Sequence, residues 1–347
     1  MAETRSKLDL RGGRLSVPAG EAVARAAAIF RALGTTEDVA RQVAEHLVDT
    51  SLCGIESHGL MRVLQYAEQM RSGYLKAGAE PVFRSTATGT HEVDGQGGIG
   101  IPAMRLAFAE GCRQARESGI AALAIRNVGH TGRHGAFADE AARDGFLTFL
   151  MGGGNRETWR QVAPHGGAKA MLPTNPWCVG IPAGADGPVV MDFATSKIAG
   201  GWIYAARSAG ALLPEGCVID REGNPTRDPE DYFAGGAILP AGEHKGYALA
   251  LMAELIGEAM LGPAATECNW LLICIDTTRF RAAPRMAAVA EEILSELRAC
   301  PPAPGFDRVE IPGERERAHR AASGGEIAVP EATWAEIGAL ARSLGVA

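Results

Sequence analysis

The sequence predicts a mixed α/β protein, with α+β character, in which a central α/β domain is inserted into a small helical domain. From about residue 78 to about residue 310, short apolar stretches alternate with helix-length ones. Towards both chain ends, apolar residues recur at helical spacing and form faces too large to leave in water. A chain of 347 residues also exceeds the roughly 250–300 residues at which single cores stop growing. We therefore predict a helical domain of residues 1–77 plus 311–347 and an α/β domain of residues 78–310.

The first 75 residues are predicted to form a short extended entry and three helices. Pro18 suits the first position of a helix that ends at Gly34. A second helix follows residues 35–38, whose hydroxyl and acidic side chains are typical of helix N-termini. The third helix is expected at about residues 60–70. A last helix, from about Glu331 to Leu344, is expected to pack against these three.

The central segment carries its own series of predicted elements. Strands are expected near residues 82–93, 120–125, 147–151, 189–191 and 271–275. Helices are expected at residues 101–116, 137–143, 247–261 and 285–299. Residues 305–325 are polar and charged, and residues 312–317 are interpreted as a charged loop.

Composition excludes several classes of protein. A formal net charge of −7 argues against a nucleic-acid-binding surface, which needs a basic stripe. The sequence has no apolar signal core near its start and no run of roughly 20 apolar residues, so a cytoplasmic protein without a membrane span is expected. The seven scattered cysteines suit a reducing compartment. The eight histidines include no H-x-x-x-H pair on a predicted helix with a partner acid, so no metal site is expected.

The segment Ser57-His58-Gly59, followed by Arg62, places a hydroxyl, an imidazole and a guanidinium within six residues. An imidazole can transfer a proton near neutral pH. A guanidinium can hold a carboxylate through two parallel hydrogen bonds. Glycine suits a break between helices, and His58 and Arg62 would then lie within about one turn of each other. The alternative is a simple helix cap, with a partly exposed His58 and a solvated Arg62.

A glycine-rich segment, Gly95 to Gly100, fits the pattern G-x-G-x-x-G. A dinucleotide-binding loop of this kind needs a buried apolar strand before it and an acidic residue about 20 positions later. The preceding residues 89–94 are too polar for a central parallel strand, and no acid ends the next strand. We therefore interpret the segment as a glycine-rich turn before a helix.

Other polar stretches follow predicted strands or begin helices, where ligands commonly bind. Each of them could also be an ordinary turn or cap. They are residues 127–134, residues 164–167 leading to residues 172–176, residues 191–196 and residues 242–247, together with the charged residues 312–317.

Taken together, these motifs identify a family resemblance. The residues Glu56 to Arg62, Asn127 with His130-Thr131-Gly132, Thr174-Asn175-Pro176, Asp192 to Ser196, Gly223 to Pro229, and His244 to Tyr247 occur in the order and approximate spacing of the type-2 malate/L-lactate dehydrogenases. That family also contains ureidoglycolate, sulfolactate and diketogulonate oxidoreductases and piperideine-2-carboxylate reductases. The resemblance implies an NAD(P)H-dependent oxidoreductase of small 2-oxo and 2-hydroxy acids. It further implies a nicotinamide-binding fold unlike Rossmann, and a homodimer with its active site between domains.

The resemblance also implies roles for individual residues. His58 would donate the proton, Ser57 would orient it, and Arg62 would bind the substrate carboxylate. Further substrate contacts would come from Thr174, Asp192, Phe193 and Ala194. The nicotinamide cofactor would be held by His130, Thr131, Gly132, Arg133, His134, Asn175, His244, Lys245, Pro312, Gly313, Glu314, Arg315 and Arg317.

One position departs from the imine-reducing branch of the family. An aspartate expected there, as part of a relay with the serine and histidine, is replaced by Trp202. This favours a 2-oxo acid reductase over a reductase of cyclic imino acids, which is the main alternative. An inactive, ligand-binding member of the fold is a further alternative, and the intact Ser57, His58 and Arg62 argue against it.

Overall fold

The computed structural model describes residues 13–86 and 89–346, which divide into two compact units. The larger unit comprises Gly13–Leu150, Cys178–Asp192 and residues 271–346, except residues 87 and 88. The smaller unit comprises Met151–Trp177 and Phe193–Trp270. Each unit has its own buried core.

Helices and strands alternate along most of the described chain, so the predicted mixed α/β class is confirmed. The α-helices are α1 (Ala19–Ala32), α2 (Glu37–Leu52), α3 (Arg62–Arg71), α4 (Gly100–Ser118), α5 (His134–Arg143), α6 (Gly200–Ala209), α7 (Pro229–Phe233), α8 (His244–Glu254), α9 (Ala283–Arg298), α10 (Glu314–Ala322) and α11 (Glu331–Ser343). Single 3-10 turns span Glu56–His58 and Thr277–Arg279, and a π-helical segment, Leu255–Met260, continues α8.

The strands of the described residues form three sheets. The strands are β1 (Arg14–Pro18), β2 (Val82–Ser85), β3 (His91–Gly98), β4 (Ile120–Val128), β5 (Phe146–Gly153), β6 (Trp177–Ile181), β7 (Val189–Phe193), β8 (Val218–Ile219), β9 (Pro225–Thr226), β10 (Ala237–Ile238), β11 (Asn269–Asp276) and β12 (Glu326–Pro330). The main sheet has the order β2-β3-β4-β11-β5-β6-β7 and is mixed, because β3 is antiparallel to β2 but parallel to β4. The two smaller sheets have the orders β10-β8-β9 and β1-β12.

The two ends of the described chain meet in the larger unit. β1 pairs antiparallel with β12, and Val17 lies opposite Ile327 with both side chains buried. Helix α11 packs against α1 and α3, and the Arg25 guanidinium lies 4.1 Å above the Trp334 ring. The division into domains of residues 1–77 plus 311–347 and residues 78–310 stays a prediction.

The N-terminal helices form where the sequence places them. Thr36 caps α2 by accepting the Val39 backbone N–H, and α2 buries Val43 and Leu47 completely. Helix α3 begins at Arg62, two residues later than expected, because residues 56–58 first make a 3-10 turn. This layer of helices carries several of the predicted site residues.

The prediction of a glycine-rich turn at residues 95–98 is wrong. These residues belong to β3, which stays paired to β4 through Gly98 and Val128 after a register shift. The polar residues that argued against a parallel strand are neutralised by charged neighbours. Arg84 lies 2.5 Å from Asp94, and Arg126 lies 3.3 Å from Glu92. An inner strand can therefore be polar when cross-strand pairs satisfy its charges.

The interpretation of residues 312–317 as a loop is also wrong, because Glu314 begins helix α10. Acidic Glu314 and Glu316 lie in its first turn and Arg320 in its last, which favours a helix through the helix dipole. Strand β12 follows it and was not predicted. Strand β6, helices α6 and α7, and strands β8 to β10 were likewise not predicted.

The smaller unit is built around an apolar cluster and a tight backbone crossing. Its core includes Ile203, Leu213 and Ile238, all fully buried. The predicted helix 247–261 forms, but its last third is π-helical. A Cβ atom at Gly257 in that segment would collide with the Gly153 backbone. Asn269 donates to the carbonyls of Gly257 and Gly262, which stabilises the wider turn.

Candidate active site

His58 is placed by the 3-10 turn that separates α2 from α3. The Ser51 hydroxyl accepts the Leu60 backbone N–H at 2.9 Å. A side chain at Gly59 would collide with that hydroxyl, so glycine is required by close approach. The predicted break is therefore a packed turn that fixes the position of the His58 ring.

The His58 ring has one nitrogen bonded and one available. Its Nδ1 lies 2.9 Å from the Ser57 hydroxyl oxygen, as the predicted orienting role requires. No residue in the described part of the chain hydrogen-bonds to His58 Nε2. Ser57 makes no hydrogen bond to a carboxylate among these residues, so the described structure has no Ser-His-Asp relay.

Arg62 is held by its own turn rather than by an acid. Its Nε donates to the Ser57 carbonyl at 2.6 Å, and its Nη1 donates to the Gln65 side chain. Within residues 13–86 and 89–346, no carboxylate lies at ion-pair distance from Arg62. A half-buried guanidinium without a counter-ion is suited to binding an anion.

His130 lies beside His58, and the two rings face each other. Their centroids are 5.1 Å apart with an interplanar angle of 34°. His130 Nδ1 lies 2.6 Å from the Tyr66 hydroxyl oxygen and 3.3 Å from the Gly132 backbone nitrogen. Tyr66 lies one turn beyond Arg62 on α3 and is fully buried. The structure therefore brings His58, Arg62 and His130 together.

The loop between β4 and α5 is fastened to α2. His46 of α2 accepts the Arg133 backbone N–H at 3.0 Å, and its ring stacks on Phe137. Gly132 has a φ of 75°, and a side chain there would collide with His46. The Arg133 guanidinium forms a 3.0 Å ion pair with Asp49, also of α2. The loop is thus fixed by packing and charge.

His134 and Asp192 complete this part of the larger unit. His134 is buried, and its Nε2 lies 2.7 Å from the Thr131 hydroxyl. The Asp192 carboxylate accepts the Gly135 backbone N–H at 2.7 Å, in the first turn of α5. Asp192, which was predicted to line the pocket, therefore bonds a helix start and remains exposed.

Burial keeps the imidazoles of this cluster neutral. It lowers the pKa of His58 to about 3, with the charge of Arg62 as the next cause. Burial followed by Arg62 lowers the pKa of His130 well below its usual value, and burial followed by Arg133 does the same for His46. Burial also lowers the pKa of His134, although the Asp192 charge opposes it. The site therefore consists of neutral imidazole rings beside Arg62, whose positive charge no carboxylate of the described residues neutralises.

Sequence reasoning missed Tyr66, His46 and Asp49. His46 falls on the apolar stripe of α2, three residues after Val43, and a histidine on a buried stripe was the available signal. Tyr66 likewise shares the buried face of α3 with Val63. Both side chains are buried in the core, and one polar atom of each, His46 Nε2 and the Tyr66 hydroxyl oxygen, forms a hydrogen bond with the β4–α5 loop.

The predicted residues of the smaller unit lie on loops and at one helix start. Asn175 is fully buried with a φ of 36°, and its Nδ2 donates to Glu254 at 3.0 Å. The Thr174 carbonyl accepts the Thr195 hydroxyl at 2.9 Å. His244 and Lys245 are exposed in the first turn of α8, Phe193 is exposed, and Ala194 is half-buried.

The predicted cofactor residues 312–317 are bound to neighbouring elements of the larger unit. The Pro312 carbonyl accepts the Val190 N–H at 3.1 Å, and Gly313 has a φ of 93°. Glu314 pairs with Arg298 at 2.6 Å, Arg315 with Glu316 at 2.9 Å, and Arg317 with Asp139 at 3.6 Å. Their side chains thus have protein partners already.

The sequence pattern of the malate/L-lactate dehydrogenases matches residues 17–338. The chain belongs to the malate/L-lactate dehydrogenase family. The resemblance inferred from the motifs is thereby confirmed, and so is the prediction of an oxidoreductase.

Individual members of the malate/L-lactate dehydrogenase family support this assignment. The chain is 34% identical to L-lactate dehydrogenase of Cupriavidus necator, over 92% of this chain and 95% of that protein. It is 32% identical to (2R)-3-sulfolactate dehydrogenase (NADP(+)) of Chromohalobacter salexigens, over 93% and 97%. The crystal structure of delta1-piperideine-2-carboxylate reductase from Pseudomonas syringae superposes with a TM-score of 0.83 at 30% identity, covering 94% of this chain and 99% of that one. These relatives include the nicotinamide-dependent dehydrogenases that the motifs predicted.

Three further observations bear on this dehydrogenase-family protein. Trp202 is half-buried near the start of α6 and packs against the core of the smaller unit, so packing accounts for it. Among the described residues, no group of three or more His, Cys, Asp and Glu side chains is arranged to hold a metal ion. No helix in the described residues is long and apolar enough to cross a membrane.

The buried histidines predict a pH-dependent stability. An unfolded histidine binds a proton below about pH 6.5, whereas buried His46 does not until a much lower pH. Stability therefore falls as the pH drops below about 6.5, by up to about 1.4 kcal/mol per pH unit for each such histidine. We expect His46→Gln to reduce this slope by about one proton between pH 5 and 6, in urea unfolding. Equal slopes would contradict the argument, and measurements at pH 7.5–8.5, where His46 is neutral in both states, are the internal control.

Proposed function

We propose that this protein interconverts a small 2-oxo acid and the corresponding 2-hydroxy acid, using NAD(P)H and NAD(P)⁺. The observation behind this proposal is Arg62, a guanidinium that has no carboxylate partner in the described part of the chain and lies four residues from His58. A small acid binding there would have its carboxylate on Arg62 and its 2-carbon near the imidazole.

Arg62 has the donors needed for a carboxylate. Of the five N–H donors of a guanidinium, two are engaged, by the Ser57 carbonyl and by Gln65. The remaining donors suit a planar carboxylate, for which the guanidinium fork is matched in shape. The bonds to Ser57 and Gln65 hold the group in place before the substrate arrives.

When no ligand is present, the His58 ring is neutral, which is the form that can act as a general base. Its lowered pKa, about 3, leaves the ring neutral at neutral pH, so Nε2 can accept the hydroxyl proton of a 2-hydroxy acid. The carbon-bound hydrogen leaves as a hydride, which the nicotinamide accepts when bound. In the reverse direction, His58 brings the proton to the oxygen. A carboxylate on Arg62 would favour the protonated ring by offsetting the Arg62 charge, which is the second cause of the lowered pKa after burial.

The chain also carries residues that fit a nicotinamide cofactor. Lys245 is exposed at the positive end of α8 and forms no ion pair among the described residues, so it can bind a phosphate. Asn175 Oδ1 is buried and has no hydrogen-bond partner among the described residues, as a group reserved for a ligand can be. In the smaller unit, we assign cofactor contacts to these two residues and His244. In the larger unit, taken by itself, we assign them to Thr131 to His134. Residues 312–317 fit less well, because their charged side chains are already paired.

The proposed cofactor fold differs from Rossmann. Glycines 95, 97 and 98 lie within β3, and the main sheet has the order β2-β3-β4-β11-β5-β6-β7. The doubly wound Rossmann sheet has the order 3-2-1-4-5-6 with its glycines in the first strand-to-helix turn. These differences support a nicotinamide site built from the other loops named above.

We also propose that the protein is a homodimer. Helix α8 and its π-helical continuation leave five large apolar side chains more than a third exposed: Leu249, Leu251, Met252, Leu255 and Met260. A contiguous apolar helix face of this kind is usually covered in the working protein, and a second copy would cover it. Light scattering should give the mass of two chains, and Leu255→Glu should favour one chain. A parent protein with the mass of one chain would refute the dimer.

Reduction of cyclic imino acids is the second candidate, because the structural relative from Pseudomonas syringae is named for that reaction. Arg62 would hold such a substrate in the same way, since it too is a 2-carboxylate. The lack of a carboxylate on Ser57 among the described residues favours the 2-oxo acid, whose oxygen needs only the His58 proton.

Variants of Arg62 and His58 should affect the reaction in different ways. Arg62→Lys keeps the charge but loses the planar fork, so KM for the best 2-oxo acid should rise strongly, and further in Arg62→Met. His58→Ala should instead lower kcat by roughly 10²–10⁴-fold, the contribution of a positioned acid or base. Cofactor affinity should stay near that of the parent in all three, by fluorescence titration. Parent-like kinetics in folded Arg62 variants would place the carboxylate elsewhere.

A further inference from the structure

The two site histidines differ in what surrounds their Nδ1 atoms. His130 Nδ1 lies 2.6 Å from the Tyr66 hydroxyl and 3.3 Å from the Gly132 backbone nitrogen. A backbone N–H can only donate, so His130 Nδ1 must carry the lone pair. The Tyr66 hydroxyl then donates as well, and the ring proton of neutral His130 lies on Nε2.

The protonated form of His130 is opposed by the same surroundings. An imidazolium would point its Nδ1–H at the Gly132 N–H, and the charge would be half-buried beside Arg62. Burial above all, followed by the charge of Arg62, lowers the pKa of His130 well below its usual value. His130 is therefore fixed in one neutral tautomer, with Nε2–H unpartnered among the described residues.

His58 is not fixed in this way. Among the described residues, its Nδ1 forms a hydrogen bond only with the Ser57 hydroxyl, at 2.9 Å, and a hydroxyl can donate or accept. Neutral His58 can therefore carry its ring proton on either nitrogen, and it can gain or lose a proton at Nε2. The neighbouring rings, 5.1 Å apart, thus have different capacities: His58 can transfer a proton, whereas His130 can only donate a hydrogen bond.

We propose that Tyr66 is a positioning residue that holds His130 as a permanent Nε2–H donor to the reacting oxygen of the substrate. The proposal rests on the function proposed above, because that oxygen belongs to the 2-oxo or 2-hydroxy acid held by Arg62. A fixed donor stabilises the negative charge that grows on this oxygen. Because it cannot exchange its proton, it does not compete with His58.

The packing of Tyr66 explains how its hydroxyl can hold His130 in one tautomer. Tyr66 is fully buried and its ring lies 6.3 Å from that of Phe30, so the hydroxyl has little freedom. Arg62 and Tyr66 are four residues apart on α3 and share a face. One helix therefore places both the substrate anchor and the group that sets the His130 tautomer.

The Tyr66→Phe variant tests the proposal, because it removes the hydroxyl and keeps the buried ring. The ¹⁵N shifts of the His130 ring, assigned with His130→Gln, report which nitrogen carries the proton. We expect Nε2–H throughout about pH 6–9 in the parent, and a measurable Nδ1–H population or a titration in this range in Tyr66→Phe. We expect kcat to fall about 3–10-fold, the loss of one hydrogen bond, with a much smaller change in KM. Tyr74→Phe is the matched control and should match the parent.

A second pair of variants keeps the proposal testable if Tyr66→Phe does not fold. His130→Gln retains an N–H donor that cannot titrate, whereas His130→Leu retains none, so Gln should keep a clearly higher kcat. Equal losses would overturn the donor role, and so would a charged or Nδ1-protonated His130 in the parent at pH 7. An unchanged tautomer and kcat in Tyr66→Phe would overturn the positioning role. The NMR measurement needs no substrate, so it remains decisive even if no 2-oxo acid is reduced.

Discussion

The enclosure of several imidazoles beside Arg62, which has no counter-ion in the described part of the chain, is the constraint on which the site depends. Buried histidines are stable here only as neutral rings, because the cost of burying a charge exceeds what their partners return. Arg62 cannot lose its charge, and no acid in the described residues compensates it. A bound carboxylate would supply the missing negative charge and would offset the Arg62 charge, the second cause after burial of the lowered pKa of His58. Substrate binding and proton transfer are coupled through this charge.

The rest of the larger unit serves to hold these groups in place. Helices α2 and α3 are locked by their buried faces and by the packing of α11 against α1 and α3. The loop that carries His130 is fastened to α2 by His46 and by the ion pair of Arg133 with Asp49. The site is therefore made of side chains whose neighbours are core residues, and little movement is needed to bring them together.

How much could be predicted from the sequence depended on the kind of signal. The N-terminal helices follow from apolar periodicity and a threonine cap, and the Ser57, His58 and Arg62 set follows from residue chemistry. Strand β3 could not be predicted, because the charges of its polar residues are neutralised by Arg84 and Arg126. These arginines lie on the neighbouring strands β2 and β4, and the sequence alone does not show that pairing. Tyr66 and His46 were missed for a related reason. Each looks like a core residue along its helix, and only the tertiary structure shows that its polar atom meets the β4–α5 loop.

The most direct test of the central claim changes the substrate rather than the protein. Oxidation of NADH and NADPH would be followed with pyruvate, oxaloacetate and piperideine-2-carboxylate, and reduction of NAD⁺ and NADP⁺ with ureidoglycolate. The best substrate would then be compared with its methyl ester, which keeps the reacting group but removes the carboxylate charge. The account predicts turnover of at least one acid, with kcat/KM at least about 100-fold lower for the ester, since the ester leaves Arg62 unpaired. Equal turnover of acid and ester, or cofactor binding without turnover of any acid, would contradict it.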